Sequence, residues 1–190
     1  MASQVGIVNI ALTSLGADRI TAMTDNNENA RRMTAIYDSV LADVLRVHPW
    51  NFAIVRVALS QLTTTPAFGY DYEYQLPTAC LRLIEVSDGT NVLTDYKVEG
   101  RKLLTDYTTI YIKYIATVSD PNQYTSQFIF LLAARLASEL AYAITNNKTT
   151  AELATQIYEK KLQTAKETDA QESDSTNVID ADSWTIDKRI

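Results

Sequence analysis

The sequence predicts an α+β fold: a helical bundle of about four α-helices with an inserted antiparallel β-meander domain and an extended C-terminal tail. Three observations carry this expectation. Apolar residues recur at helical spacing before residue 48 and again from Phe128 onward. Between those stretches the period drops to two and turn residues come close together. Beyond Thr168 the residues are mostly Asp, Glu, Ser, Thr, Gln and Asn, which bury too little apolar surface to repay their ordering entropy. With 190 residues, 46% of them hydrophobic, the chain can bury one sizeable core. The expected division is a bundle from residues 1–48 and 121–168, a β-domain over 49–120, and an acidic extension over 169–190.

Ser3 is placed to cap a first helix over residues 4–15, with Val5, Val8, Leu12 and Leu15 at helical spacing and Gly16 at the left-handed C-terminal position. Asp25 and Glu28 stand at capping-box spacing before a second helix that runs to Val47. Ala30, Met33, Tyr37, Val40, Leu41 and Val44 form its apolar stripe. At 1.5 Å per residue it is roughly 33 Å long, more than a small core needs.

His48-Pro49-Trp50-Asn51-Phe52-Ala53 then joins this helix to a strand. Pro49 forbids continuation of the helix and holds His48 extended. Trp50 and Phe52, two apart, are expected on one face of the extended chain, an aromatic anchor in which His48 is a packed structural histidine.

Phe52 to Leu62 reads as a strand, and Thr63 to Pro66 with Gly69 as a turn. Tyr70 to Leu76 alternates apolar and polar residues, so its tyrosines are expected to pack while Asp71 and Glu73 face water. Leu81 to Val86, Asp95 to Glu99, Arg101 to Thr105 and Thr109 to Ile115 complete a meander, with turns at Asp88-Gly89 and Gly100. Asp120-Pro121 ends it. Phe128, Leu131, Leu132, Leu136 and Leu140 mark a third helix, whose Ala133, Ala134, Ala137 and Ala141 allow close approach at the centre of a bundle. Arg135 and Glu139 form an i, i+4 ion pair on it. Thr149 and Glu152 suggest a capping box for a final helix through Leu153, Ile157, Tyr158, Leu162 and Ala165.

Charge and composition exclude several functions. Of the formal −6, the stretch from Glu167 onward holds seven acids against Lys188 and Arg189, leaving the body near −1. A tight nucleic-acid binder needs concentrated basic surface to displace counterions, so specific DNA binding is not expected. A lone Cys80 allows neither an internal disulfide nor a thiolate metal cluster. The five glycines are scattered, which leaves no phosphate-cradling loop, and no carboxylates cluster at ligand spacing. No cofactor or metal is therefore expected. Neither a secretory leader nor a stretch of roughly 20 apolar residues is read, so the chain is expected to be soluble, without membrane insertion.

Two arrangements resemble catalytic pairs. Cys80 with His48 lacks the local features of an activated thiol, and Asp71 with Glu73 reads as the wet side of a strand. The eleven tyrosines point to assembly, since Tyr, Trp and Arg concentrate binding energy at interfaces. The candidate interface residues are His48, Pro49, Trp50, Phe52, Tyr70, Tyr72, Tyr74, Trp184 and Ile186. Trp184 and Ile186, two apart in a polar tail, fit a docking peptide with alternate side chains inserted in a partner, or a tail folded back on its own body.

The order of "NIALTSLGADRIT", an acid-rich cap before a long helix, "LRVHPWNFA", "PAFGYDYEYQLPTACLRLIEV", "IKYIA" and "FIFLLAARLASELAYAI" resembles the tail tubular protein A family, the head-to-tail adaptor or connector proteins of short-tailed bacteriophages (podoviruses). The resemblance runs from about residue 4 to 165, and its most specific elements are His48 to Ala53, Phe68 to Pro77 and Cys80-Leu81-Arg82. It implies a structural virion protein, made in the bacterial host cytoplasm and placed at the head-tail junction. There it forms a dodecameric ring beneath the portal protein, docks the tail nozzle (tail tubular B) protein, and continues the channel through which DNA passes on ejection. The resemblance implies no enzymatic role. The alternatives are a virion-associated hydrolase using Asp71, Glu73 or Cys80 with His48, and a non-viral helical scaffold module.

Overall fold

The computed structural model describes residues 2–173. Helix α1 spans Gln4–Ser14, with the Ser3 hydroxyl accepting the Gly6 N–H at 3.0 Å. It ends where Gly16 takes a φ of +69°, and Ala17 N–H reaches back to the Leu12 carbonyl, a Schellman closure that satisfies the last turn. Helix α2 spans Glu28–Val47, and its cap is Asn27, whose Oδ1 accepts the Ala30 N–H at 2.8 Å. Asp25, expected to cap, instead takes Thr21 N–H, Thr21 Oγ1–H and Ala22 N–H on one oxygen and holds the turn ahead of the helix. The capping-box spacing gave way because Asn27 caps as well and stands directly against the first helical turn.

Helices α3, Ser126–Thr145, and α4, Lys148–Ser173, form a hairpin. Thr125 caps α3, and Asn146 closes it in the left-handed conformation at φ +49°. Asn147 Oδ1 accepts the N–H groups of Thr149 and Thr150, so the cap of α4 falls at Asn147 and not at Thr149. As expected, the alanine face of α3 is buried at the centre of the bundle, with α1, α2 and α4 around it. α3 also differs from one expectation, for by length and composition it is apolar enough to cross a membrane. Its Phe128, Leu131, Leu132 and Leu136 lie in the helical core.

The β-region is antiparallel but not one meander. β1 (Ile54–Leu59), β6 (Ile110–Ala116) and β3 (Cys80–Ser87) form one sheet in the order β1-β6-β3. β2 (Tyr72–Gln75), β5 (Lys102–Thr105) and β4 (Lys97–Glu99) form a second, in the order β2-β5-β4. The chain thus closes its first sheet with its last strand, Ile54 opposite Ile115 and Leu59 opposite Ile110. Sequence periodicity does not encode which strand is adjacent to which.

β6 shows how the layers join. Its even positions, Ile110, Ile112, Tyr114 and Ala116, belong to a β-core with Tyr74, Leu76, Val86 and Leu103, while Ile115 enters the helical core. Side chains alternate across a strand, so one strand serves both cores and the first sheet lies between the helices and the second sheet. Leu81 and Ile84 of β3 reach the helical core as well. The β-domain is therefore fused to the bundle through shared strands.

Candidate functional site

The corner after α2 is the most closely tied polar and aromatic cluster in the fold. His48 is extended at φ −139°, as Pro49 requires, and the chain then makes a short 3-10 turn over Asn51–Ala53 before β1 begins. The strand expected from Phe52 thus starts at Ile54, because this turn intervenes. Trp50 and Phe52 still converge: the Trp50 ring lies 5.3 Å and the Phe52 ring 4.9 Å from that of Phe128. Tyr124 joins them at 5.0 Å from Phe128, and its hydroxyl donates to the Val118 carbonyl. Trp50 is 1% exposed and its indole N–H donates to the Val44 carbonyl, satisfying an acceptor in the last turn of α2. It is a core residue here.

Asp169 completes the corner from α4. Only 6% exposed, it lies with Oδ2 3.1 Å from His48 Nε2, accepts the Asn51 N–H on Oδ1 at 3.1 Å, and its carbonyl accepts from Asn51 Nδ2 at 2.8 Å. Sequence reading placed Asp169 at the start of the acidic extension. The helix instead continues through it to Ser173, because Tyr158, Leu162, Ala165 and Asp169 carry one helical stripe past the compositional boundary. That spacing is the signal that locates it. His48 is a structural histidine in an ion pair or hydrogen bond with Asp169, edge-on to Trp50 at 4.7 Å.

The β-domain corrects a second expectation. Glu73, taken as wet, is 6% exposed, with Lys102 Nζ at 2.9 Å and the Thr64 hydroxyl on the same oxygen. The Lys102 contact first, and then Thr64, holds its carboxyl below the usual range. Lys102, the diagonal neighbour of Glu73 across the β2–β5 ladder, and Thr64 of the loop before β2 close over the carboxylate, on the face that alternation assigns to water. Asp71 remains exposed, its N–H bonded to Asp106. Tyr74 is fully buried, with its hydroxyl donating to the Tyr107 carbonyl, and so belongs to the core; Tyr70 and Tyr72 are half-buried. The exposed aromatics are others: Phe68, 89% exposed, Tyr107, Tyr111, Phe130 and Tyr142. Loop position marks Phe68, which sits between turn residues Pro66 and Gly69.

The two catalytic pairs lack the required setting. Cys80 is buried, and burial pushes its thiol up, against the activated thiolate that a nucleophile needs. Glu73, held ionised by Lys102, is the reverse of a general acid raised to work near neutral pH. Among the described residues no three His, Cys, Asp or Glu side chains gather as metal ligands.

Beyond the reach of the bundle, the helix-side face of the first sheet is open and carries Arg56, Ala58, Glu85, Tyr111 and Lys113 around a shallow depression. Tyr111 lies over Gly89, where φ is +102° and a Cβ would stand 2.9 Å from the ring. Gly89 therefore serves both the turn and the seat of this exposed tyrosine. What the molecule offers is surface: a polar sheet face with one aromatic, a loop tip bearing Phe68, and apolar positions on the helices. Trp184 and Ile186 lie outside the described residues. No family model matches the sequence, and no curated protein matches it.

Proposed function

We propose that this chain is the head-tail adaptor of a short-tailed phage, a structural protein that forms a ring beneath the portal and presents its β-domain to the tail nozzle. The observation that carries the reading is the ordered motif resemblance, in which the stretch His48 to Ala53 is the joint between bundle and sheet. The α+β architecture, two helices, a β-region and two further helices, is in keeping with it.

The geometry suits assembly for three physical reasons. A closed ring needs two different adhesive surfaces on each subunit, and both the helices and the β-domain expose large apolar side chains. The corner fixes the helices against the first sheet through buried rings and Asp169, so that a load on one layer passes to the other. The near-neutral body lacks the dense Lys and Arg walls that would grip a sliding duplex. Function here rests on contact.

Mixing the purified chain with the portal protein encoded near it and imaging the product by electron microscopy tests the proposal. A ring of this protein on one face of the portal is expected. Absence of any complex with its own portal contradicts the proposal, whereas absence of a ring without portal does not.

A further inference from the structure

A groove of about 200 Å³ runs between α1, α3 and α4. Its floor is Ala133, Ala134 and Ala137, whose short side chains leave depth, and its rim is Ile10, Phe130, Leu153 and Ile157, all exposed. Leu153 alone is 55% exposed. The volume lies below the roughly 300–1,000 Å³ of small-molecule sites and suits one or two inserted side chains. At one end Lys161 sits over the Phe130 ring at 5.2 Å, and among the described residues no carboxylate pairs with it.

We propose that the groove is the docking site of this chain's own C-terminal segment, with Trp184 and Ile186 as the inserted side chains. Three observations select this occupant. The segment follows directly on α4, one wall of the groove: Ile157 lies roughly 24 Å along the helix from Ser173. The 11 residues from 174 to 184 span up to roughly 36 Å when extended, enough to turn back and reach it. Asp174, Asp180, Asp182 and Asp187 outnumber Lys188 and Arg189 around the apolar pair, and Asp182 and Asp187 are the charges nearest to it, so the segment is net negative and complements Lys161. Trp184 and Ile186 are two apart, so an extended segment turns both toward one surface. The inference goes beyond the adaptor reading and stands without it.

The test uses the full chain in isolation, so that failure to bind a portal has no bearing on it. Trp50 is buried and constant, which leaves Trp184 as the responsive fluorophore. Leu153→Asp, at an exposed position, is expected to expose Trp184 to acrylamide and raise its quenching constant roughly twofold or more. In a second variant, Trp184→Ala with Ile186→Ala, the body is untouched and binding of anilinonaphthalene sulfonate to the uncovered groove is expected to rise. Equal quenching with and without Leu153→Asp overturns the proposal, as does unchanged dye binding. Protection of Trp184 that disappears on dilution overturns it too, by showing that the occupant comes from a second copy.

Discussion

Asp169 reaches from the end of α4 to both the His48 ring and the Asn51 backbone, so one carboxylate ties the last helix to the joint between α2 and β1. Asp169→Ala leaves the Asn51 N–H without this acceptor in a half-buried site and is expected to destabilise by about 1–3 kcal/mol. A melting temperature lower by several degrees is the readout, and an unchanged value would show the contacts to be ornamental. Four carboxylates give a pH dependence. Asp25, Glu73, Asp88 and Asp120 are all held below their ordinary values by hydrogen bonds from neighbouring groups. Each then contributes stability that is present above its unfolded value, 3.8 for Asp and 4.5 for Glu, and lost as pH falls through the lower folded value. Urea midpoints are expected to drop below about pH 4, with a shallower drop in Glu73→Gln. At the alkaline end burial pushes Tyr37 up to about 12 from 10.0, so the unfolded chain ionises first and stability declines across that interval. Residue identity alone showed His48 as structural, but not that its partner is Asp169, 121 positions away. Such a pairing depends on the helix hairpin bringing α4 back beside α2's end.

At the scale of elements, the helices were legible because their apolar stripes persist over several turns, and each starts within a few residues of its expected place. The caps were not, since several Asn, Asp and Thr side chains compete near each start and local geometry chooses among them. Asn147→Ala is expected to cost about 1 kcal/mol through the loss of the α4 cap, and Thr149→Ala distinctly less. Thermal melts of the two variants decide it, and the opposite ranking would restore Thr149 as the cap. The strands were placed to within a few residues, yet their faces were misread at Glu73, where a lysine and a threonine bury a charge that alternation assigns to water. β6 explains why period two is an incomplete guide here. A strand between two cores is apolar on both faces near Ile115 and on one face at Tyr111, so the pattern changes along its length.

For the whole molecule, the two cores meet on one sheet, and the bundle and β-region are expected to unfold together. In the Trp184→Phe chain, where Trp50 is the one remaining indole, far-ultraviolet circular dichroism and fluorescence should give coincident denaturant transitions, whereas two separated transitions would mean the β-region folds on its own. A chain ending at Ser173 keeps the Asp169 contacts and is expected to lose only what the docked C-terminal segment contributes; one ending at Thr168 loses the Asp169 contacts as well and is expected to melt several degrees lower still. The proposed function rests on the order of the sequence motifs, since Cys80 and Glu73 lack the setting that catalysis by either pair requires. An interface is a property of two surfaces, and one chain presents half of it. The mass of the complex formed with the portal protein, measured by native mass spectrometry, goes most directly to whether this chain is an adaptor. Twelve copies bound to each portal ring is the expected result, and a portal ring that retains its own mass in the presence of excess folded chain would contradict it.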